Sequence, residues 1–366
     1  MSHKSIAVTP TPTSYKSEIT KDEKKHSHAM TYTEAFQIIK FNQDEHRVDE
    51  DRVKVARRLL LQDHVYRGFY PALQWINNSC YFSTLMVAMF LQPCEYITKN
   101  ILLKDDSSET ASRYKKRQIL TDKINDLVLN MRIFHPHINN IDSIRLAFID
   151  AQNAFPTANP IEPTRMETPT QVLWPLIEMY EMGVWTSMKK EKFNIHDVLR
   201  EKSLETTVSN HIANPLLIID TFKIENYRNA NGNTNVIDVS RVIPLPEDKQ
   251  KYEVEYTVTE ENVYKNKKYF QNKKLKFIVV EINDRRLYEQ NFTIVASPRL
   301  ALFPNLTLTT VICLRGIHYT CIYFNRDDRN WYHFNDISGG IPRLIDENQK
   351  DKKIREEGYF FFYQEN

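Results

Sequence analysis

Residues 73–91 read LQWINNSCYFSTLMVAMFL, and how this stretch folds decides the rest. A glutamine, two asparagines and a serine lead into Cys80, and nearly everything after it is apolar. Tyr81, Phe82, Leu85, Met86, Val87, Ala88, Met89, Phe90 and Leu91 show neither a period of two nor a polar face, and no Gly or Pro interrupts them. The pattern predicts a helix buried on all sides. Ser79 is the expected N-cap, which puts Cys80 in the first turn. The unsatisfied N–H groups and positive dipole end of a helix stabilise a thiolate, the nucleophilic form of cysteine. Gln74, six residues upstream, offers a side-chain amide to the oxyanion of an acyl-transfer intermediate. A cysteine so placed is either a nucleophile or a small residue packing a core helix, and this stretch alone leaves both open.

Candidate partners lie near the other end. Residues 312–338 read ICLRGIHYTCIYFNRDDRNWYHFNDIS. An apolar run ends at His318, Tyr319 to Phe324 continues as an aromatic and β-branched strand, Asn325 to Asn330 is a polar turn, and Trp331 to Phe334 is a returning strand. Antiparallel pairing brings the two strand ends together, so that His318 and either Asn335 or Asp336 can hydrogen-bond. A nucleophile, a base and an orienting group then follow in the order Cys, His, Asn/Asp.

These boxes resemble those of the ubiquitin-specific proteases. Asn78, Ser79, Cys80 and Tyr81 are similar to the Asn-Thr-Cys-Tyr core of that family's cysteine box. His318 and Tyr319, followed by Trp331, Phe334, Asn335 and Asp336, resemble its histidine box. Gly358 to Tyr363 looks like the aromatic strand that closes its catalytic domain, and Leu275 to Arg286 and Phe292 to Leu300 resemble its central palm strands. The resemblance spans residues 65–366. It implies an α+β, papain-like cysteine protease fold with a helical thumb, an antiparallel palm sheet and reduced fingers. It also implies cleavage after the C-terminal glycine of ubiquitin or a ubiquitin-like protein. Cys80 would be the nucleophile, His318 the base, Asn335 the orienting residue with Asp336 assisting, and Gln74 an oxyanion donor.

The sequence departs from the family at three places. Asn77 stands where the cysteine box has glycine, and asparagine is among the residues that reach positive φ. Ile317 stands where a glycine precedes the histidine, with Gly316 one place earlier. Trp75 stands at the family's oxyanion asparagine, so Gln74 is the replacement at the spacing papain-like proteases use. The four cysteines, Cys80, Cys94, Cys313 and Cys321, include no zinc-knuckle pair, and none lies between Cys94 and Cys313. No metal or organic cofactor is expected, and the fingers are expected to hold together without zinc. Two other readings remain open: a noncatalytic binding or scaffold protein of the same fold, and a structural protein that binds nucleic acid.

Length and composition set the remaining bounds. With 41% apolar and 26% charged residues the chain has the makeup of a globular protein with an ample core. A net charge of +2 gives no push toward nucleic acid or membrane. Asn and Lys are abundant, as in proteins of AT-rich genomes, many large DNA viruses among them. The polar N-terminus shows no signal peptide, no run is long enough to span a bilayer, and a required thiol suits a reducing compartment, cytoplasmic or nuclear.

The domain reading is a disordered tail over residues 1–30, a helical extension over 31–66, and a catalytic domain over 67–366. Within the last, the thumb covers about 67–200 and the fingers and palm about 201–366. Helices are expected near Thr33 and over Arg47 to Gln62, Ile119 to Phe134 and Val172 to Met182, with residues 104–118 a charged surface turn. Tyr252 to Thr259 alternates as a half-buried strand. Lys265 to Lys276 holds six lysines interleaved with Tyr269 and Phe270, read as an exposed hairpin rather than a nucleic-acid contact.

Overall fold

The aromatic run Gly358–Glu365 is the middle of a sheet. Phe360, Phe361 and Phe362 are all fully buried, so both faces of this strand are covered and the run needs no polar alternation. The computed structural model describes residues 30–43, 49–62, 73–133, 141–155, 161–162, 165–180, 216–219, 236–239, 277–282, 293–299 and 304–365. The expected tail over residues 1–30 lies outside them except for its last residue, as do the strand Tyr252 to Thr259 and the lysine-rich segment.

Contacts divide the chain into two compact units, residues 1–59 and 60–366. The first holds helix α1 (Tyr32–Gln43) and the start of α2 (Glu50–Gln62). A capping box opens α1: the Glu34 N–H donates to Thr31 Oγ1 at 3.2 Å, and the Thr31 N–H donates to Glu34 Oε2 at 2.7 Å.

The second unit is α+β. Its helices are α3 (Cys80–Phe90), the short α4 (Glu95–Ile97) running into a π-turn, α5 (Ser112–Arg132), α6 (Ile141–Ala154), α7 (Pro169–Met179) and α8 (Glu347–Glu357). Its strands are β1 (Leu216–Ile219), β2 (Val236–Asp238), β3 (Phe277–Ile282), β4 (Thr293–Val295), β5 (Leu306–Arg315), β6 (His318–Asn325), β7 (Asn330–Phe334), β8 (Arg343–Ile345) and β9 (Gly358–Glu365). Among the described residues a seven-stranded sheet runs β1-β3-β9-β5-β6-β7-β8, antiparallel except for the parallel β1–β3 pair. No helix among the described residues is long and apolar enough to cross a membrane.

The helix expected to be buried on all sides is present as α3, and every residue of it is buried. It packs against β5, β6 and α7. Arg132 closes its far end: Nε donates to the carbonyls of Phe90 and Leu91 at 2.7 and 3.1 Å, and Nη2 donates to that of Gln92 at 3.0 Å. A cation there complements the negative end of the helix dipole.

Three expectations need correction. The segment 104–118 is not a surface turn throughout, because α5 begins at Ser112. Inside that segment Arg117 and Asp106 form a buried ion pair, with Nη2–Oδ1 at 2.6 Å and side chains 2% and 3% exposed. Arg117 also donates to the Met179 carbonyl, tying α5 to the end of α7. Second, the stretch Phe292 to Leu300 divides: β4 pairs in parallel with β2 in a separate two-stranded sheet, while Arg299 forms an antiparallel bridge to Thr307 on β5 of the large one. Third, Ser79 precedes α3 but does not cap it with its side chain. Its hydroxyl turns back and accepts the Ile76 N–H at 3.0 Å.

Candidate active site

The hairpin β6–β7 forms as the sequence predicts. The turn ahead of it, between β5 and β6, is not read from the sequence, which takes the apolar run as continuous through His318. Gly316 and Ile317 turn β5 into β6, His318 opposes Arg315, and Cys321 opposes Phe334 on β7. Asn335 and Asp336 therefore leave β7 at the end of the sheet where His318 enters β6. The His318 Nε2 lies 3.0 Å from Asn335 Oδ1. The same oxygen accepts the Ile337 N–H at 3.1 Å. The Ile337 N–H can only donate, which identifies the shared atom as the amide carbonyl oxygen; that oxygen only accepts, so Nε2 donates in this contact. Asp336 stands further off, with a carboxylate oxygen 3.9 Å from His318 Nε2.

Cys80 reaches the same place from α3. Its thiol faces the backbone N–H of Tyr319, the residue that follows His318. The residue is only 1% exposed, and burial pushes the thiol above its ordinary value. The Tyr319 N–H pulls it down, the Asp336 charge pushes it up, and the N–H groups of Tyr81 and Cys80 pull it down. Stabilisation from the helix start is thus present but outweighed by desolvation, which reverses the sequence expectation of a lowered value. Burial likewise lifts the Asp336 carboxyl to about 6, against the opposing pull of His318 and the Ser83 hydroxyl.

The segment leading into the turn runs along the other wall. The Trp75 N–H donates to the Asp336 carbonyl at 3.3 Å. A Cβ added at Gly340 would come within 2.4 Å of the Leu73 carbonyl oxygen, so glycine is what allows the two backbones to touch. Gln74, between Leu73 and Trp75, is exposed. Trp75 is 40% exposed, Ile317 74% and Ile337 61%, which leaves an apolar rim around the His318–Asn335 pair.

Asn77 and Asn78 both take left-handed backbone, with φ 47 and φ 61. Asn77 was singled out for this; Asn78 was not. Sequence reasoning also missed Arg145 and Asp142, which bond to Asn77 in the turn before the cysteine, and Ser83, which bonds to Ser79. The available signal was a charged residue set among apolar neighbours, since Arg145 sits between Ile144 and the pair Leu146–Ala147 on α6. Among the described residues no group of three or more His, Cys, Asp or Glu side chains is arranged to hold a metal ion. The four cysteines are all buried and no disulfide joins them.

No protein-family model matches the chain. No curated protein matches it in sequence. Among solved structures, the crystal structure of an essential yeast splicing factor is similar over 90% of this chain and 88% of that one, at 9% identity and a TM-score of 0.41. A likeness that distant carries no argument about activity.

Proposed function

We propose that this chain is a cysteine hydrolase with a papain-like fold of the ubiquitin-specific protease type. It would cleave the isopeptide or peptide bond after the C-terminal glycine of ubiquitin or a ubiquitin-like protein. The observation that carries the reading is the 3.0 Å contact between His318 Nε2 and Asn335 Oδ1 beside the thiol-bearing start of α3. An imidazole held at Nε2 keeps Nδ1 free to act as a base.

The chemistry follows from these groups. Burial raises the Cys80 thiol, so Cys80 starts as a thiol that loses its proton as it attacks. As the Cys80 sulfur bonds to the carbonyl carbon, its proton passes to His318 Nδ1. The carbonyl oxygen becomes an oxyanion, for which the Cys80 N–H and the Gln74 amide are the candidate donors. Loss of one such donor costs about 100- to 1000-fold in rate. Collapse of the intermediate breaks the C–N bond, and the imidazolium returns the proton to the departing amine. Water, deprotonated by the same imidazole, then hydrolyses the thioester and restores the thiol.

The test is release of a fluorophore from the C-terminal amide of ubiquitin, run beside the same amides of ubiquitin-like proteins. Wild type should release it and Cys80→Ala should not, at an unchanged fold. One observation favours a second reading, a noncatalytic binding module: Cys80 is 1% exposed while Ile317 stands 74% exposed beside His318. Tight binding of ubiquitin by wild type without any release would select that reading.

A further inference from the structure

One guanidinium bonds to the turn ahead of Cys80 and acts electrostatically on the side chain just after it. Arg145, on α6, is charged yet only 1% exposed. Its Nη1 donates to the Asn77 carbonyl at 2.9 Å, and its Nη2 pairs with Asp142 Oδ1. The other Asp142 oxygen accepts from Asn77 Nδ2 at 3.4 Å, which closes a ring of contacts around the turn. The Tyr81 phenol faces the same guanidinium, whose charge counters part of the upward push that burial gives that hydroxyl. Arg145 therefore contacts a residue three places before Cys80 and the one directly after it.

The turn needs such a tie. Consecutive left-handed residues without glycine form a strained backbone that persists only where the surroundings over-determine it. Asn77 and Asn78 adopt that backbone directly ahead of α3. Within the turn the Ser79 N–H donates to the Ile76 carbonyl at 3.0 Å, and the Ser79 hydroxyl accepts the Ile76 N–H. Those bonds close the loop on itself without fixing it to the protein; the Arg145 bond to Asn77 does that. A buried ion pair contributes little net stability, because desolvating the charges offsets their attraction. Fixing one geometry is the better account of a buried arginine here, and its forked donors suit it to hold two groups at once.

We propose that Arg145 is a positioning residue for the Cys80 nucleophile: it locks the Asn77–Asn78 turn so that the thiol stays beside the start of β6. The proposal rests on the hydrolase reading of Cys80.

The experiment uses the full chain and the variants Arg145→Lys, Arg145→Met and Asp142→Asn, with three readouts. These are melting temperature, kcat and KM on the ubiquitin fluorogenic amide, and the pH profile of Cys80 alkylation by iodoacetamide, located by mass spectrometry. Arg145→Met should lower kcat about 100-fold with KM within about threefold, as expected when a reacting group is misplaced. Freed from its tie, the turn should expose the thiol, so its alkylation midpoint should move down and alkylation at neutral pH should speed up while turnover slows. Arg145→Lys, which keeps one donor, should recover part of kcat, and Asp142→Asn should fall between it and wild type. A purely structural role would lower the melting temperature and leave the alkylation midpoint of the folded protein in place; that result overturns the proposal. If Arg145→Met does not fold, the Lys and Asn variants decide in the same way. The alkylation arm needs no substrate, so a wild type inactive on every ubiquitin-like amide would remove the hydrolase reading while the Arg145 assignment is still judged.

Discussion

Asn335 Oδ1 accepts two hydrogen bonds at once, from His318 Nε2 at 3.0 Å and from the Ile337 N–H at 3.1 Å. The backbone bond fixes the amide, and the fixed amide orients the imidazole. Asp336 is 3.9 Å from the same nitrogen, beyond hydrogen-bond reach. The geometry thus ranks two neighbours that the hairpin pattern alone leaves equal. Asn335→Ala should cut turnover about 100-fold, the low end of what a positioned acid–base group supplies. Asp336→Ala should cut it less. Steady-state kinetics of the two variants checks this, and a larger loss for Asp336→Ala would reverse the ranking.

Asp336 has a separate signature. Its negative charge helps push the Cys80 thiol up, and burial lifts its own carboxyl to about 6. The charge is present above about pH 6 and absent well below it. Asp336→Asn should therefore lower the Cys80 value and speed iodoacetamide alkylation at about pH 8, while at about pH 5 variant and wild type converge. A uniform effect across that range would show that the carboxylate acts on the thiol through packing and not through charge.

The helix that starts at Cys80, the hairpin β6–β7 and the closing aromatic strand were all legible in the sequence. Each is one mainly apolar run, or in the hairpin two runs about a polar turn, whose length and bounding residues select the elements. Arg145, Arg117 and Asp106 were not, because a charge in a sequence reads as surface until a partner brings it inside. The same blindness misplaced the start of α5, where Arg117 belongs to the buried face. It also reversed the sign at Cys80: the helix start is a local feature visible in a pattern, whereas the desolvation that outweighs it is a product of tertiary packing, and the Asp336 charge that adds to it lies more than two hundred residues away.

The contact between Gly340 and Leu73 gives a stability test. Gly340 has φ +69 and its added Cβ would lie 2.4 Å from a backbone oxygen, whereas Gly339 has φ +81 and open space around it. Gly339→Ala pays only the left-handed conformation, about 1 kcal/mol. Gly340→Ala must also move a backbone segment next to the site and should cost clearly more, roughly 2–4 kcal/mol. Urea unfolding of both variants measures the difference; equal losses would mean that the Leu73 segment shifts freely.

Glu281 on β3 links the sheet to α7. Its Oε1 accepts from Thr170 Oγ1 at 2.7 Å and from the Tyr359 hydroxyl at 3.4 Å. Burial raises its carboxyl to about 7, against the downward pull of those two hydroxyls. The folded state holds this proton more tightly than the unfolded chain does. Its contribution to stability is therefore full below the ordinary carboxyl value of 4.5 and lost as pH rises through about 7. Glu281→Gln, which stays neutral, should melt higher than wild type at about pH 8 and lose that advantage at about pH 5. A variant less stable than wild type at the higher pH would show that the ionised carboxylate is better solvated than its burial implies.

The central claim is that Cys80 is a nucleophile aimed at the C-terminus of a ubiquitin-like protein. The most direct measurement is reaction of the full chain with ubiquitin and ubiquitin-like proteins carrying a C-terminal electrophile, followed by mass spectrometry of the adduct. The account predicts one covalent adduct, on Cys80, lost in Cys80→Ala and slowed in Asn335→Ala. An adduct on Cys94, Cys313 or Cys321, or none with any of the proteins although Cys80 is alkylated by iodoacetamide, would contradict it.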